Sequence, residues 1–231
     1  MIDIRVFDKL GRLRNDWRGA HYHFSFSQYY DLARVRHGAL RVWNDDETGP
    51  RTGFAPHGHE PVEIITYVRK GAVTHKGSLG NTGRTEAGDV QVMSAGSGIP
   101  QSEWNAEDVK TELFRLWILP RNRGGKQGWG ARKFPKSDRS GNRAVLASGS
   151  GEGESLTIIE DTRVLGAAIK AGETLTYTLP GGRSGYLVAA DGKVTLNGQR
   201  LAARGGGAIT GGETLTLDAA VSAERALVDT V

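Results

Sequence analysis

The chain has 231 residues and a formal net charge of +4, and 38% of its residues are hydrophobic. This composition excludes a disordered chain, and the absence of cysteine excludes disulfides and thiol chemistry, which favours a cytoplasmic protein. The apolar runs are too short to span a membrane, and the N-terminus lacks the apolar region of a secretory signal. Because the basic residues are interspersed with acidic ones, we expect neither a nucleic-acid partner nor a membrane partner.

Short runs rich in Val, Ile, Thr and Tyr occur along the whole chain and are separated by many of its 33 glycines. Such runs are typical of β-strands joined by tight turns. We find no convincing amphipathic helix longer than about ten residues, so the pattern predicts an all-β fold, a sandwich or a barrel. The clearest runs are VEIITYV, DVQVM, TELFRLWIL, YLVAA and KVTLN.

Two histidines, His21 and His23, alternate in the N-terminal segment HYHFSFSQYY. We interpret them as surface or loop histidines beside a core strand whose Phe24 and Phe26 face inward. The alternative is that His23 helps to complete a metal site formed further along the chain.

The segment PHGHEPVEIITYVRKG, residues 56–71, contains the strongest chemical pattern. His57, His59 and Glu63 occupy alternate positions, so they would share one face of an extended strand. Two imidazoles at i and i+2 with a nearby carboxylate suit Fe(II), Mn, Ni, Cu or Zn. The alternative is a pair of exposed histidines in a polar loop. Pro61 lacks a backbone donor, so the strand is expected to start late or to lie at an edge.

A second segment, residues 87–105, has the sequence AGDVQVMSAGSGIPQSEWN. A Gly-Asp turn and a short apolar strand are followed by Gly96 and Gly98, and then by Gln101 and Glu103 at i and i+2. This pattern predicts a strand facing the first segment, with a second pair of candidate ligands.

An internal repeat indicates two similar domains. Residues 63–78 align with residues 184–199 at a constant offset of 121, which matches Gly71 with Gly192. We place the boundary in the basic, glycine-rich stretch, giving domains of residues 1–125 and 126–231. All six histidines lie at or before residue 75, so the second domain is expected to have no metal ligands.

The order of these motifs resembles the two cupin motifs, and in more detail the pirin family of bicupins. The resemblance implies two tandem double-stranded β-helix (jelly-roll) barrels with one divalent transition metal, usually Fe(II), in the first barrel. Bacterial members are similar to quercetin 2,3-dioxygenases. The resemblance covers about residues 15–135 strongly and the rest only in general plan. The segments that carry it further are HFSFSQYYD (23–31), ALRVWNDD (39–46), HKGSLGN (75–81) and GDVQVMSAGSGI (88–99).

The family's metal ligands, three histidines and one glutamate, fall on His57, His59, position 101 and Glu103. Position 101 is Gln in this chain. By the same resemblance, Glu63 and His75 would lie behind the ligands.

Gln101 is a neutral and weaker donor to Fe, Cu or Zn than the imidazole that the family places there. Three outcomes are open. Gln101 coordinates the ion or holds a ligating water, leaving His57, His59 and Glu103 as two imidazoles and one carboxylate. Alternatively Glu63 swings in as an extra ligand, or the site is weak or empty.

The resemblance therefore implies a metal-dependent dioxygenase that acts on a small aromatic, flavonoid-like substrate and O₂ as a monomer. Glu103 would also take the hydroxyl proton of the substrate. Phe54, Met93 and Trp104 flank the predicted ligands in sequence and would form the apolar walls of a pocket. The alternative function is a regulatory or redox-sensing binding protein with a protein partner and no turnover.

Overall fold

The computed structural model describes residues 1–57, 61–77, 82–94, 101–122 and 128–231, and for positions 56, 57 and 101 only the backbone. This part of the chain contains 22 β-strands and three short 3₁₀ helices, at Phe7–Lys9, Leu32–Arg34 and Lys136–Arg139. Within the described ranges, no helix has the length and apolar character needed to cross a membrane.

Strands in the first half of the chain are β1 (Ile2–Arg5), β2 (Gly11–Arg14), β3 (Arg18–Tyr22), β4 (Leu40–Thr48), β5 (Thr52–His57), β6 (Glu63–Lys70), β7 (Ala72–Gly77), β8 (Thr82–Glu86), β9 (Val90–Ser94), β10 (Gln101–Asn105), β11 (Thr111–Ile118) and β12 (Gly128–Arg132). Strands in the second half are β13 (Arg143–Ser148), β14 (Leu156–Thr157), β15 (Thr162–Ile169), β16 (Thr174–Leu179), β17 (Ser184–Asp191), β18 (Val194–Leu196), β19 (Gln199–Leu201), β20 (Gly206–Thr210), β21 (Glu213–Asp218) and β22 (Ala223–Thr230).

The strands form two barrels, each built from a seven-stranded and a four-stranded sheet. In the first barrel the sheets have the orders β12-β9-β6-β11-β4-β3-β2 and β5-β10-β7-β8. In the second barrel the orders are β1-β20-β17-β22-β15-β13-β14 and β16-β21-β18-β19. This all-β bicupin architecture confirms the predicted fold class.

The two strand-turn-strand units that the internal repeat identified have the same geometry, and in each the turn carries the chain from the large sheet of a barrel to its small sheet. Strands β6 and β17 begin and end at positions 121 residues apart, and each is followed by a glycine, Gly71 or Gly192, with φ of 73°. A side chain at Gly192 would lie 2.6 Å from the backbone oxygen of Ser222. Glycine is therefore required at this turn by both conformation and space.

The two halves exchange strands. β1, at the N-terminal end, pairs with β20 and so extends the large sheet of the second barrel. β12, which follows the predicted boundary at residues 125 and 126, pairs with β9 of the first barrel. The strand pairing therefore departs from the predicted division of the chain at residues 2–5 and 128–132.

The large sheets of the two barrels pack against each other around a shared core. Ile65 and Tyr67 of β6 belong to the same buried cluster as Val188 of β17. His23 also lies between the barrels, where it is fully buried and its Nδ1 is 2.8 Å from the hydroxyl of Tyr186. β3 ends at Tyr22, so His23 does lie in a loop. The interpretation of His23 as a surface residue is wrong, because the second barrel covers its segment.

Candidate active site

Backbone pairing brings together the two segments predicted to hold a metal. Strand β5 ends at His57, strand β10 begins at Gln101, and these two residues are directly opposite each other in the antiparallel pair. The side chains of His57 and Gln101, and the whole of His59, lie outside the described residues. Among the residues that are described, no three His, Asp or Glu side chains form a metal-binding group. The predicted ligand set stays a prediction.

Glu103 reaches across the interior of the first barrel. Its Oε1 accepts hydrogen bonds from Gln91 Nε2 at 2.6 Å and from Thr66 Oγ1 at 3.1 Å. Its Oε2 lies 2.6 Å from Nη2 of Arg115. The three donors come from adjacent strands, β9, β6 and β11, and are paired with one another in register. The carboxylate of Glu103 therefore links the small sheet to the large one.

Three further contacts extend this network and fix its geometry. Arg115 Nη1 is 3.4 Å from Oδ2 of Asp46, whose Oδ1 lies 2.7 Å from Arg18 Nη2. On the other side, Thr85 Oγ1 donates to Gln91 Oε1 at 3.0 Å, which leaves the amide nitrogen of Gln91 to donate to Glu103. Two guanidinium groups thus balance two carboxylates inside the barrel.

His75 is directly opposite Glu103 on the neighbouring strand β7 and is 1% exposed. Its ring stacks on Trp129, with centroids 5.0 Å apart and planes 8° apart. A side chain at Gly83, the residue paired with His75 on β8, would collide with this indole. Burial lowers the pKa of His75, although Glu103 acts in the opposite direction, so the imidazole is neutral at neutral pH.

The Nδ1 atom of His75 is buried and has no hydrogen-bond partner within the described part of the chain. A neutral imidazole nitrogen in this position can accept a hydrogen bond, either from another side chain or from a molecule bound in the predicted site. The expectation that His75 lies behind the ligands stays a prediction.

Glu63 binds the second half of the chain. Its carboxylate accepts hydrogen bonds from the backbone N–H groups of Ile159 at 2.6 Å and Glu160 at 3.1 Å, and from Ser94 Oγ at 3.3 Å. Burial raises the pKa of Glu63, and these donors oppose that shift.

One expectation about Glu63 is therefore corrected. Glu63 does not continue the strand of His57, because β5 ends at that residue and β6 begins at Glu63 in the other sheet, as Pro61 between them predicts. Its side chain follows Ile65 toward the second barrel, whereas Thr66 faces Glu103. A role for Glu63 as an extra ligand, or behind the predicted ligands, stays a prediction.

The three predicted pocket residues lie in different environments. Phe54 is directly opposite Glu103, and its ring lies 4.4 Å from the guanidinium carbon of Arg115. Met93 is buried two positions after Gln91 in the same strand, in an apolar cluster of the first barrel. Trp104 is 43% exposed and adjacent to Glu103 in an extended strand, so it faces the opposite side of β10. Phe54 and Met93 thus flank Glu103, but Trp104 does not.

Comparison with protein families assigns both halves. The family model described as "Pirin" matches residues 3–118, and the model described as "Quercetinase C-terminal cupin domain" matches residues 145–230. The chain belongs to the pirin family.

Several pirin-family relatives are similar over the whole chain. A "Pirin-like protein" of Caulobacter vibrioides is 56% identical over 99% of both chains. A "Quercetin 2,3-dioxygenase" of Escherichia coli K12 is 32% identical, over 99% of this chain and 98% of the relative. Among solved structures, the bacterial pirin YhhW of Escherichia coli in complex with nickel(II) matches with a TM-score of 0.94 and 31% identity, over 100% of this chain and 99% of the other.

Within this pirin, sequence reasoning missed the residues that hold Glu103. Each is a polar residue inside an apolar strand: Thr66 in EIITYV, Gln91 in DVQVM and Arg115 in TELFRLWIL. A polar side chain on the inward face of a strand must find a partner, so this break in the apolar pattern was the available signal.

Proposed function

We propose that this protein is a metal-dependent dioxygenase of the quercetin 2,3-dioxygenase type, acting on a small aromatic substrate and O₂. The observation that carries the proposal is the pairing of Gln101 with His57, which joins the two predicted ligand segments at one end of the small sheet. The name of the Escherichia coli relative supports the activity, and the nickel complex of YhhW supports a divalent metal.

The residues present fit a divalent metal. His57 and His59 would supply imidazoles, Glu103 a carboxylate, and Gln101 an amide oxygen or a contact to a bound water. The metal would supply Lewis acidity toward the hydroxyl and keto oxygens of the substrate. Fe(II) and Ni(II) are the ions we would test first, since the family resemblance favours the former and YhhW binds the latter.

Glu103 is held in one orientation before any ligand arrives. A carboxylate offers about four acceptor positions, and in Glu103 the described donors Thr66, Gln91 and Arg115 occupy three of them. The remaining position, on Oε2, suits a single contact to an ion or to the substrate's proton. Fixing the carboxylate in this way reduces the entropy lost when the ligand binds.

The neighbouring side chains would position an aromatic substrate. Phe54 and Met93 supply apolar surface on either side of Glu103 and keep water from part of the site. The neutral imidazole of His75 supplies a polar contact beside the carboxylate. This combination of apolar walls and a few fixed polar groups is typical of small-molecule sites.

The activity is tested with protein loaded with Fe(II) or Ni(II) and incubated with quercetin, by following flavonol absorbance and O₂ uptake together. Glu103→Gln should lower kcat/KM by about 10-fold or more, because an amide cannot replace the charge of the carboxylate. Asp108→Asn, an exposed change five residues away, is the matched control and should leave the rate unchanged. Absence of flavonol loss with both metals would reject the proposal.

Gln101→His tests the departure from the family pattern. Restoring the imidazole should raise the metal content measured by elemental analysis and the turnover rate together. Unchanged metal content in this variant would mean that position 101 does not contact the ion.

A binding protein without turnover is the second candidate. The contact of Arg115 with Glu103 favours it, because a carboxylate paired with a guanidinium is a weaker metal ligand than a free one. Metal-free protein after growth in metal-replete medium, together with no flavonol loss after loading, would support this candidate.

A further inference from the structure

Glu63 lies at the edge of both segments that carry the predicted metal ligands. It is the first residue of β6 and follows the segment that contains His59. Its backbone partner Ser94 is the last residue of β9 and precedes the segment that leads to Gln101. Ser94 also donates from Oγ to Oε1 of Glu63 at 3.3 Å. One side chain thus joins the two strand ends of the large sheet that border the ligand segments.

The same carboxylate binds the second barrel at a bend of residues 159–161. Oε1 of Glu63 accepts the backbone N–H of Ile159 at 2.6 Å, and Oε2 accepts that of Glu160 at 3.1 Å. Glu63 is 1% exposed, so water does not compete for these charge-assisted bonds. Arg121, which follows β11, donates from Nε to the backbone oxygen of Ile159 at 2.9 Å. The 159–161 bend is therefore attached to the first barrel by two side chains.

The packing of the second barrel sets the position of the 159–161 bend. Gly149, directly after β13, donates its N–H to the backbone oxygen of Thr162 at 3.0 Å. A Cβ at Gly149 would lie 2.1 Å from the backbone oxygen of Glu160 and 3.2 Å from Cα of Asp161. Because these are backbone atoms, a side chain at position 149 would have to displace the bend. The bend thus meets Glu63 at a place that the second barrel determines.

We propose that Glu63 is a positioning residue through which the second barrel sets the geometry of the metal ligands in the first. The proposal rests on the proposed function, since it presupposes an ion at His57, His59 and Glu103. In this role Glu63 acts through the ends of β6 and β9 and not as a ligand.

This arrangement gives the second barrel, which contains no histidine, a part in metal binding. Groups that orient metal ligands contribute about 10- to 100-fold to metal affinity. Coupling between two sites is also reciprocal in free energy. An ion bound in the first barrel should therefore strengthen the contact between Glu63 and the 159–161 bend.

The Ni(II) dissociation constant of the full chain, measured by calorimetry, tests the proposal with two variants. Glu63→Gln keeps the size of the side chain but offers one oxygen to two N–H groups, so Ni(II) affinity should fall about 10-fold. Gly149→Ala retains Glu63 and displaces the bend from the side of the second barrel, so a similar loss is expected. Unchanged affinity in either variant would overturn the proposal, because coupling through this contact requires both sides of it.

Gly192→Ala is the matched control. It is also a glycine-to-alanine change in the second barrel, and its Cβ would lie 2.6 Å from the backbone oxygen of Ser222. Gly192 follows β17, whose other end, Ser184, shares the partner Thr230 with Thr162 next to the bend. Gly192→Ala should therefore destabilise the same barrel and leave Ni(II) affinity unchanged. An equal loss of affinity in this control would assign the effect to general destabilisation and overturn the proposal.

Hydrogen exchange separates this inference from the proposed function. In the unmodified protein, Ni(II) should slow amide exchange in peptides that cover Ile159 and Glu160, as measured by mass spectrometry, and Glu63→Gln should abolish that response. Ni(II) binding that leaves this exchange unchanged would reject the positioning role alone. Coupled exchange and affinity without quercetin turnover would support the positioning role and reject the oxygenase. Absence of Ni(II) binding to the unmodified protein would reject the metal site and the positioning role together.

Discussion

Strands β11 and β22 occupy matching places in the two barrels, and their inward-facing residues differ. At one matching position the first barrel has Arg115 and the second has Leu227. Arg115 pairs with Thr66, and Leu227 pairs with Leu187, the counterpart of Thr66 at the offset of 121. The next inward positions have the opposite polarity, Leu113 in the first barrel and Arg225 in the second. The same strand position thus carries a charge paired with carboxylates in one barrel and a leucine in the other, while the next position carries a leucine in the first barrel and, in the second, an arginine without a described partner.

The comparison teaches that a buried arginine has no fixed effect on stability. Arg115 contacts two carboxylates, so its removal would leave Glu103 without a cation and Asp46 with Arg18 alone. Arg225 has no described partner, so its removal would leave no group unsatisfied. The two arginines should therefore respond to the same substitution with opposite signs.

The largest effect is expected for Arg115→Met. Loss of the guanidinium leaves the partly buried carboxylate of Glu103 without a cation and the buried Asp46 with Arg18 alone, and the free energy of unfolding should fall by about 3–5 kcal/mol. Urea unfolding measures this change, with the exposed substitution Arg121→Met as the control. A loss below about 1 kcal/mol would mean that the network contributes little to stability.

Arg225→Met is expected to stabilise the protein. Replacing a buried charge that has no described partner by an apolar side chain of similar length should raise the free energy of unfolding by about 1–4 kcal/mol. The same urea titration measures it. A loss of stability would show that Arg225 has a favourable partner in the unliganded protein.

Substitution of the turn glycines Gly71 and Gly192 tests whether turns of the same backbone geometry contribute equally to the stability of the two barrels. Gly71→Ala and Gly192→Ala should each lower the free energy of unfolding by about 2 kcal/mol, because φ is 73° at both. Gly198→Ala is the control: its φ is also positive but the space around it is empty, so about 1 kcal/mol is expected. Clearly different losses at Gly71 and Gly192 would contradict the equivalence of the two turns.

The smallest expected effect is the contribution of His23 to the pH dependence of the free energy of unfolding. Burial lowers the pKa of His23 well below its usual value, with Arg5 acting in the same direction. Below pH 6.5 the unfolded chain therefore binds a proton that the folded chain does not, and stability falls as the pH falls. From pH 6.5 to 5.5 this amounts to about 1 kcal/mol.

His23→Gln should remove that part of the pH dependence, as measured by urea unfolding at several pH values. His21→Gln is the matched control, since His21 is only partly buried and its substitution should change the slope less. An unchanged slope in His23→Gln would assign the acid sensitivity to other groups.

The features predicted correctly from the sequence are those set by local patterns. The all-β class, the strand-turn-strand repeat and the glycine turns follow from strand alternation and from the conformational demands at Gly71 and Gly192. Pro61 likewise anticipated that β6 begins only at Glu63.

The rest depends on contacts between distant segments. Nothing near Glu63 in the sequence indicates that its partners are the backbone groups of Ile159 and Glu160. Similarly, TELFRLWIL and AERALVDT each show one arginine in an apolar strand, and only the packing distinguishes the paired Arg115 from the unpaired Arg225.

The exchange of β1 has a consequence for protein synthesis. β1 leaves the ribosome roughly 200 residues before its partner β20, an interval of about 10–40 s at typical elongation rates. During that time the strands of the first barrel can be completed, whereas Ile2 and Ile4 remain without a sheet. The second barrel is therefore completed by a strand that is synthesised long before the rest of it, and this strand is available to a chaperone, or to a wrong strand edge, until β20 has followed.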